Sequence, residues 1–196
     1  MNICLKNITK KYEDTLGLNQ VSLEFAEGET ACIMGPSGIG KTTLINIIMG
    51  LVKADSGTLT GLEGKKIAAV FQENRLCEEI DAVHNVKLVC NKNVTELQIK
   101  EEFKEVGLLE YENKKTRELS GGMKRRVAIV RAVMAESDII IMDEPFKGLD
   151  EKLKEQVINY IRRKTRGKTV IVVTHNKEEV DALSARLILL ETGAVA

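Results

Sequence analysis

The chain has 196 residues, 43% hydrophobic and 30% charged, and its 29 Lys+Arg balance 29 Asp+Glu. That length predicts one domain, that composition supplies a core and a polar surface, and the balanced charge excludes the footprint of a dedicated nucleic-acid binder. No stretch reaches the ~20 apolar residues of a membrane span, the N-terminus lacks the apolar region of a secretory signal, and the cysteines show neither CxxC nor zinc spacing, so they read as reduced thiols.

In chain order, residues 3–9 and 21–25, followed by the turn Glu27-Gly28-Glu29, read as an antiparallel piece beside a main sheet. Continuous apolar runs follow at 31–34, 67–71, 139–142, 170–173 and 187–190. Continuous rather than alternating runs fit parallel strands covered on both faces. Between them, Met123, Val127, Val130 and Met134 repeat at helical spacing, as do Leu153, Val157, Tyr160 and Ile161. Residues 74–118 carry no strand-like run after Cys77. There, Thr95 and Gln98 form a capping box, with Val94 and Ile99 as its staple, and Ile99, Phe103 and Val106 share one face. The expected architecture is α/β: a mostly parallel sheet with flanking helices, an N-terminal antiparallel β piece, and a helical insertion over about 74–118 between core segments 1–73 and 119–196.

Gly35-Pro36-Ser37-Gly38-Ile39-Gly40-Lys41-Thr42-Thr43 matches G-x-x-x-x-G-K-[ST] between a strand and the helical pattern at 42–49. The glycines let successive amides converge on phosphate oxygens, and the helix start adds its positive end. Lys41 then serves the β/γ-phosphates and Thr42 a Mg²⁺ ion. The run at 139–142 ends in Asp143-Glu144-Pro145. Carboxylates at the carboxyl end of a parallel strand lie where such sheets bind ligands. Asp143, expected next to the phosphate-loop strand, suits Mg²⁺; Glu144 suits the attacking water.

Leu119-Ser120-Gly121-Gly122-Met123 has no use in a generic phosphate-loop protein. It resembles the signature motif of ATP-binding cassette (ABC) ATPases, which usually reads Leu-Ser-Gly-Gly-Gln. The resemblance runs through nearly the whole chain in family order. It implies that Tyr12 stacks on adenine and that Gln72 is the Q-loop glutamine, reaching Mg²⁺ and the water. It implies further that Glu144 is the catalytic glutamate, Asp150 the D-loop aspartate and His175 the switch histidine. The P-loop fold, ATP and Mg²⁺ come with it, as does a head-to-tail dimer in which Ser120, Gly121 and Gly122 cap the ATP of the partner subunit. Lys124, Arg125 and Arg126 read as a solvated helix face with some phosphate attraction, and His84 as a surface or packing residue.

Met123 departs from the family glutamine, and Gly148 from a frequent alanine. The chain is expected to lack the C-terminal regulatory domain of some relatives. One cassette with a short insertion favours the energising subunit of a membrane transporter over a soluble repair or translation factor. The permease is expected near Gln72 and the insertion, which puts the chain peripherally on the cytoplasmic face of the plasma membrane. The wording Phe71-Gln72-Glu73-Asn74-Arg75-Leu76 is similar to the nitrate/sulfonate/taurine-type importer group, which implies a small anionic or cofactor-like solute; an exporter subunit is the alternative.

Overall fold

Ile139, Ile140, Ile141 and Met142 are all buried, although neighbouring side chains of a strand point to opposite faces. Both faces of their sheet are therefore covered, as the continuous runs require. The computed structural model describes residues 1–12, 15–191 and 194–195. Its main sheet joins β3 (Thr30–Met34), β5 (Ile67–Val70), β6 (Ile139–Asp143), β7 (Thr169–Val173), β8 (Arg186–Glu191) and β9 (Ala194–Val195) in the order β5-β6-β7-β3-β8-β9. All its pairings are parallel except β8 with β9. The order corrects one expectation: β7 separates β6 from β3, so Asp143 is not on the strand next to the phosphate loop.

Alternate residues of the strands feed two cores. Cys32, Ile140, Met142, Val170 and Val172 join one with the apolar faces of α2 (Ala82–Lys87), α3 (Glu96–Glu105), α4 (Gly121–Met134), α5 (Glu151–Lys164) and α6 (Lys177–Leu183). Ala31, Ile33, Ile139, Ile141, Ile171 and Val173 join the other, with α1 (Lys41–Ile48) and a smaller sheet. That sheet is antiparallel, with order β2-β1-β4 for β1 (Ile3–Tyr12), β2 (Thr15–Phe25) and β4 (Ser56–Thr60). The expected β piece is present with longer strands. β4 was not foreseen, because Ser-Gly-Thr-Leu-Thr is almost wholly exposed and carries no apolar pattern.

β8 departs from the two-sided burial expected of its run. Ile188 and Leu190 are buried, whereas Leu187 and Leu189 stand partly exposed on the other face, close to the sheet edge. In the segment read as an insertion, the Thr95–Gln98 capping box forms at the start of α3, and the buried faces of α2 and α3 pack into the same core as β6 and β7. No helix among the described residues is long and apolar enough to cross a membrane.

Candidate functional site

β3 ends at Met34 and the chain turns through the glycine-rich loop into α1. Gly40, the N-cap, sits at φ 101°, and a Cβ there would lie 2.1 Å from the Gly17 carbonyl oxygen. Only glycine lets β2 and the loop approach so closely. Ile39 anchors the loop against the second core. Lys41 folds back over it, and its Nζ donates to the carbonyl oxygens of Gly35 (2.7 Å) and Pro36 (2.8 Å). Burial pulls the Lys41 pKa down, and the nearby charges of Glu144 and Asp143 work against that pull.

β6 delivers the carboxylates from two strands away. The Thr42 hydroxyl donates to Asp143 Oδ2 across 3.1 Å, so the first turn of α1 reaches the end of β6 despite the intervening β7. Asp143 is buried; desolvation pushes its carboxyl up, while the Thr42 hydroxyl and the Arg125 and Lys41 charges act against this. Glu144 leaves the strand at φ 46°, a left-handed conformation unusual for a non-glycine residue. Its amide still bonds the Val173 carbonyl (3.0 Å). Its carboxylate is held from two sides, by His175 Nε2 at 3.2 Å and Lys147 Nζ at 3.1 Å. Behind His175, the Thr174 hydroxyl donates to the carboxylate of Glu179, whose pKa burial pushes up.

These groups share one cleft of about 270 Å³. Ser37, Gly38, Lys41, Thr42 and Thr43 line one side, and Gln72, Asp143, Glu144 and His175 the other. The hydroxyl of Thr42, a carboxylate of Asp143 and the amide of Gln72 form a hard-oxygen set that suits Mg²⁺ bound through one or two protein oxygens plus phosphate. Among the described residues there is no cluster of three or more metal-ligating side chains, which that mode of binding does not need.

Other expected site residues lie outside the cleft lining. Tyr12 ends β1 with its ring against Gly17: a Cβ on Gly17 would sit 3.1 Å from it, and the Gly17 carbonyl in turn abuts Gly40. The ring is thus one residue removed from the phosphate loop. Ser120 caps α4, its hydroxyl accepting from the Met123 amide (3.3 Å). Ser120 and Gly121 are exposed, and a Cβ on Gly121 would meet nothing within 4 Å, so that helix start is open to a ligand. Gly122 faces the Gly148 carbonyl, so the signature and the D-loop touch. Asp150 caps α5 through the Leu153 amide (3.0 Å). His84 is exposed and pairs with Asp81, its helix cap.

Arg125 and Arg126 overturn the reading of a solvated face. Both are buried. Arg125 donates to the carbonyls of Phe71 (2.5 Å) and Gln72 (2.6 Å), and Arg126 to those of Val106 (2.9 Å) and Gly107 (2.7 Å). Lys124 pairs with Glu78 at 3.1 Å. Sequence reasoning also missed the contact of Lys147 with Glu144. Its position three residues on, in a turn set by Pro145, is the signal that was available.

A model of the ABC transporter family matches residues 18–147. The chain is 33% identical over 207 residues to the spermidine/putrescine import ATP-binding protein PotA of Mycoplasma capricolum, an alignment covering 97% of this chain and 59% of that relative. Among solved structures it is similar to the ATP-binding cassette MJ0796 in a dimeric post-hydrolysis state bound to ADP and Pi, with 33% identity, TM-score 0.86, and 98% and 96% of the two chains covered. A second dimeric structure of MJ0796, described as a bacterial ABC transporter cassette, gives 34% identity and a TM-score of 0.87 over the same shares. With the phosphate loop, the paired carboxylates and the open signature helix in family order, the chain belongs to the ABC transporter family.

Proposed function

We propose that the chain is the ATP-hydrolysing subunit of a membrane importer, working as a head-to-tail dimer. The observation that carries this reading is the single cleft in which the phosphate loop faces Gln72, Asp143, Glu144 and His175. ATP binding draws Lys41 off the Gly35 and Pro36 carbonyls and onto phosphate oxygens, a charge-assisted contact that replaces two neutral ones. The loop amides and the start of α1 hold the phosphate chain. Tyr12 stacks on the base. Thr42, Asp143 and Gln72 would hold Mg²⁺, which would supply charge neutralisation to the phosphate chain.

Glu144 is the base. A water oxygen attacks the γ-phosphorus, the bond from that phosphorus to the bridging β-oxygen breaks, and the water proton passes to the Glu144 carboxylate, leaving ADP and phosphate. His175, 3.2 Å from that carboxylate, orients it. The open helix start at Ser120, Gly121 and Gly122 caps the ATP of the partner subunit. That assignment is supported by its absence from its own cleft lining and by the dimeric form of the MJ0796 cassettes. Asp150 holds the neighbouring loop at that interface.

The permease docks in a groove of about 400 Å³ beside the Gln72 loop, lined by Met49, Leu51, Phe71, Val89 and Arg131. Leu51 and Val89 are exposed in that lining, which leaves apolar surface available to a partner. Import rests on the names of the relatives. An anionic solute of the nitrate/sulfonate/taurine kind finds no support among them, because those names specify polyamines, which are cations.

Glu144→Gln tests the reading. It should bind ATP, lose hydrolysis by a factor of about 10² or more, and shift from monomer to dimer with ATP in light scattering. Turnover at the wild-type rate overturns the assignment.

A further inference from the structure

The basic run that opens α4 contains a buried cation with no carboxylate in contact. Among the described ion pairs Arg125 has none, yet its guanidinium is buried and makes two short bonds, both to backbone: Nη1 to the Phe71 carbonyl (2.5 Å) and Nη2 to the Gln72 carbonyl (2.6 Å). Six residues further along the helix, Arg131 donates to the carbonyls of Asn74 (3.1 Å) and Arg75 (2.9 Å). The loop between is folded on itself, with the Arg75 guanidinium 3.8 Å from the Phe71 ring centroid. Both ends of the loop that carries Gln72 are thus strapped to one helix.

We infer that Arg125 is a positioning residue, whose forked guanidinium ties the Gln72 backbone to α4 so that Gln72 moves with the helix that begins at the signature. A planar fork reaches two adjacent carbonyls at once, which neither the single ammonium of lysine nor a shorter amide reproduces. Buried bonds to a charged donor are costly to break, because the freed guanidinium would stay desolvated. Gln72 therefore cannot slide along α4 without losing both bonds. When Ser120–Gly122 engage the partner's nucleotide, the displacement of α4 is delivered to Gln72 in the chain's own cleft. Arg131, at the permease groove, delivers motion there to the other end of the same loop. This step rests on the roles given to Gln72 and Ser120 above.

The test uses the full chain, with Arg125→Gln, Arg125→Lys, Gln72→Ala and the double variant Arg125→Gln/Gln72→Ala. Hydrogen exchange read by mass spectrometry should speed up by about tenfold or more at residues 71–76 in Arg125→Gln, with β6 protected as before. In ATPase assays kcat should fall about tenfold with KM for ATP within about twofold, and the double variant should be no slower than Gln72→Ala alone. Arg125→Lys keeps the charge and most of the volume, so it tests the fork where the glutamine variant folds poorly; it should show an intermediate loss. Unchanged exchange at 71–76, or kcat losses that multiply in the double variant, overturns the inference. Glu144→Gln separates the two failures: if it hydrolyses at the wild-type rate, the hydrolytic reading falls, and the exchange data alone judge the strap.

Discussion

Lys41 is hydrogen-bonded to two carbonyls of its own loop, which holds its partly desolvated charge over the glycine-rich turn. Lys41→Ala removes a charged donor worth about 1.5–3 kcal/mol to a phosphate. Calorimetry should read ATP affinity about ten- to a hundredfold weaker. Gly40→Ala acts on the backbone instead: at φ 101° a Cβ costs about 1–2 kcal/mol of strain and here also meets the Gly17 carbonyl oxygen at 2.1 Å. Urea unfolding should show a loss larger than the strain alone, with weaker ATP binding besides. Both residues were legible, because the loop pattern names them and its chemistry explains them. Arg125 was not. Three consecutive basic residues look like a wet surface, and only the burial of α4 nearly all round turns two of them inward.

At the scale of elements, the start of α3 was readable from four residues. Thr95 and Gln98 satisfy each other's backbone amides as a capping box. Thr95→Ala should lower stability by about 1 kcal/mol in urea unfolding. The edge of the main sheet was less readable. Arg186, on β8, reaches Glu29 through Nε (3.1 Å) and Nη2 (2.7 Å), joining β8 to the turn before β3. Burial by itself would raise the Glu29 carboxyl; the Arg186 guanidinium and the Ala26 amide more than offset that and hold it below its ordinary 4.5. A depressed carboxyl stabilises fully above its unfolded value and loses that contribution as pH falls through the folded one. Arg186 is half exposed, so the pair is worth only about 0.5 kcal/mol. Arg186→Gln should therefore lower stability by about that amount at pH 7, and the gap between the two proteins should narrow as pH falls below the carboxyl's ordinary 4.5. β4 escaped the sequence because it buries almost nothing, and α2 and α6 because six and seven residues are too few to display a helical period.

For the whole molecule, the proposed dimer surface is the open start of α4, where Ser120 and Gly121 stand exposed beside the loop that holds Gly148. Ser120→Arg places a long cation there without touching the cleft of its own chain. ATP binding measured by calorimetry should stay within about twofold of wild type, and in the Glu144→Gln background the ATP-dependent dimer should disappear from light scattering. An intact dimer would remove the signature from the interface. The groove lined by Phe71, Val89 and Arg131 is a separate surface, and Phe71 carries it up to Gln72 in the chain.

What is encoded locally could be read from the chain: a strand-loop-helix that cradles phosphate, acids ending an apolar strand, the capping box of α3, and the alternation that makes an α/β sheet. Each depends on residues close together in the chain, where spacing is geometry. The remaining features come from how distant segments pack. That packing placed β7 between β6 and β3, so that Asp143 meets Thr42 through the reach of α1 rather than by strand adjacency. It set Lys147 and His175 on either side of Glu144, 31 residues apart from His175 in the chain. It also turned Arg125 away from water onto the Gln72 carbonyl, 53 residues away. Such contacts follow from strand order and from which helix face is buried, and no local period of the chain records either.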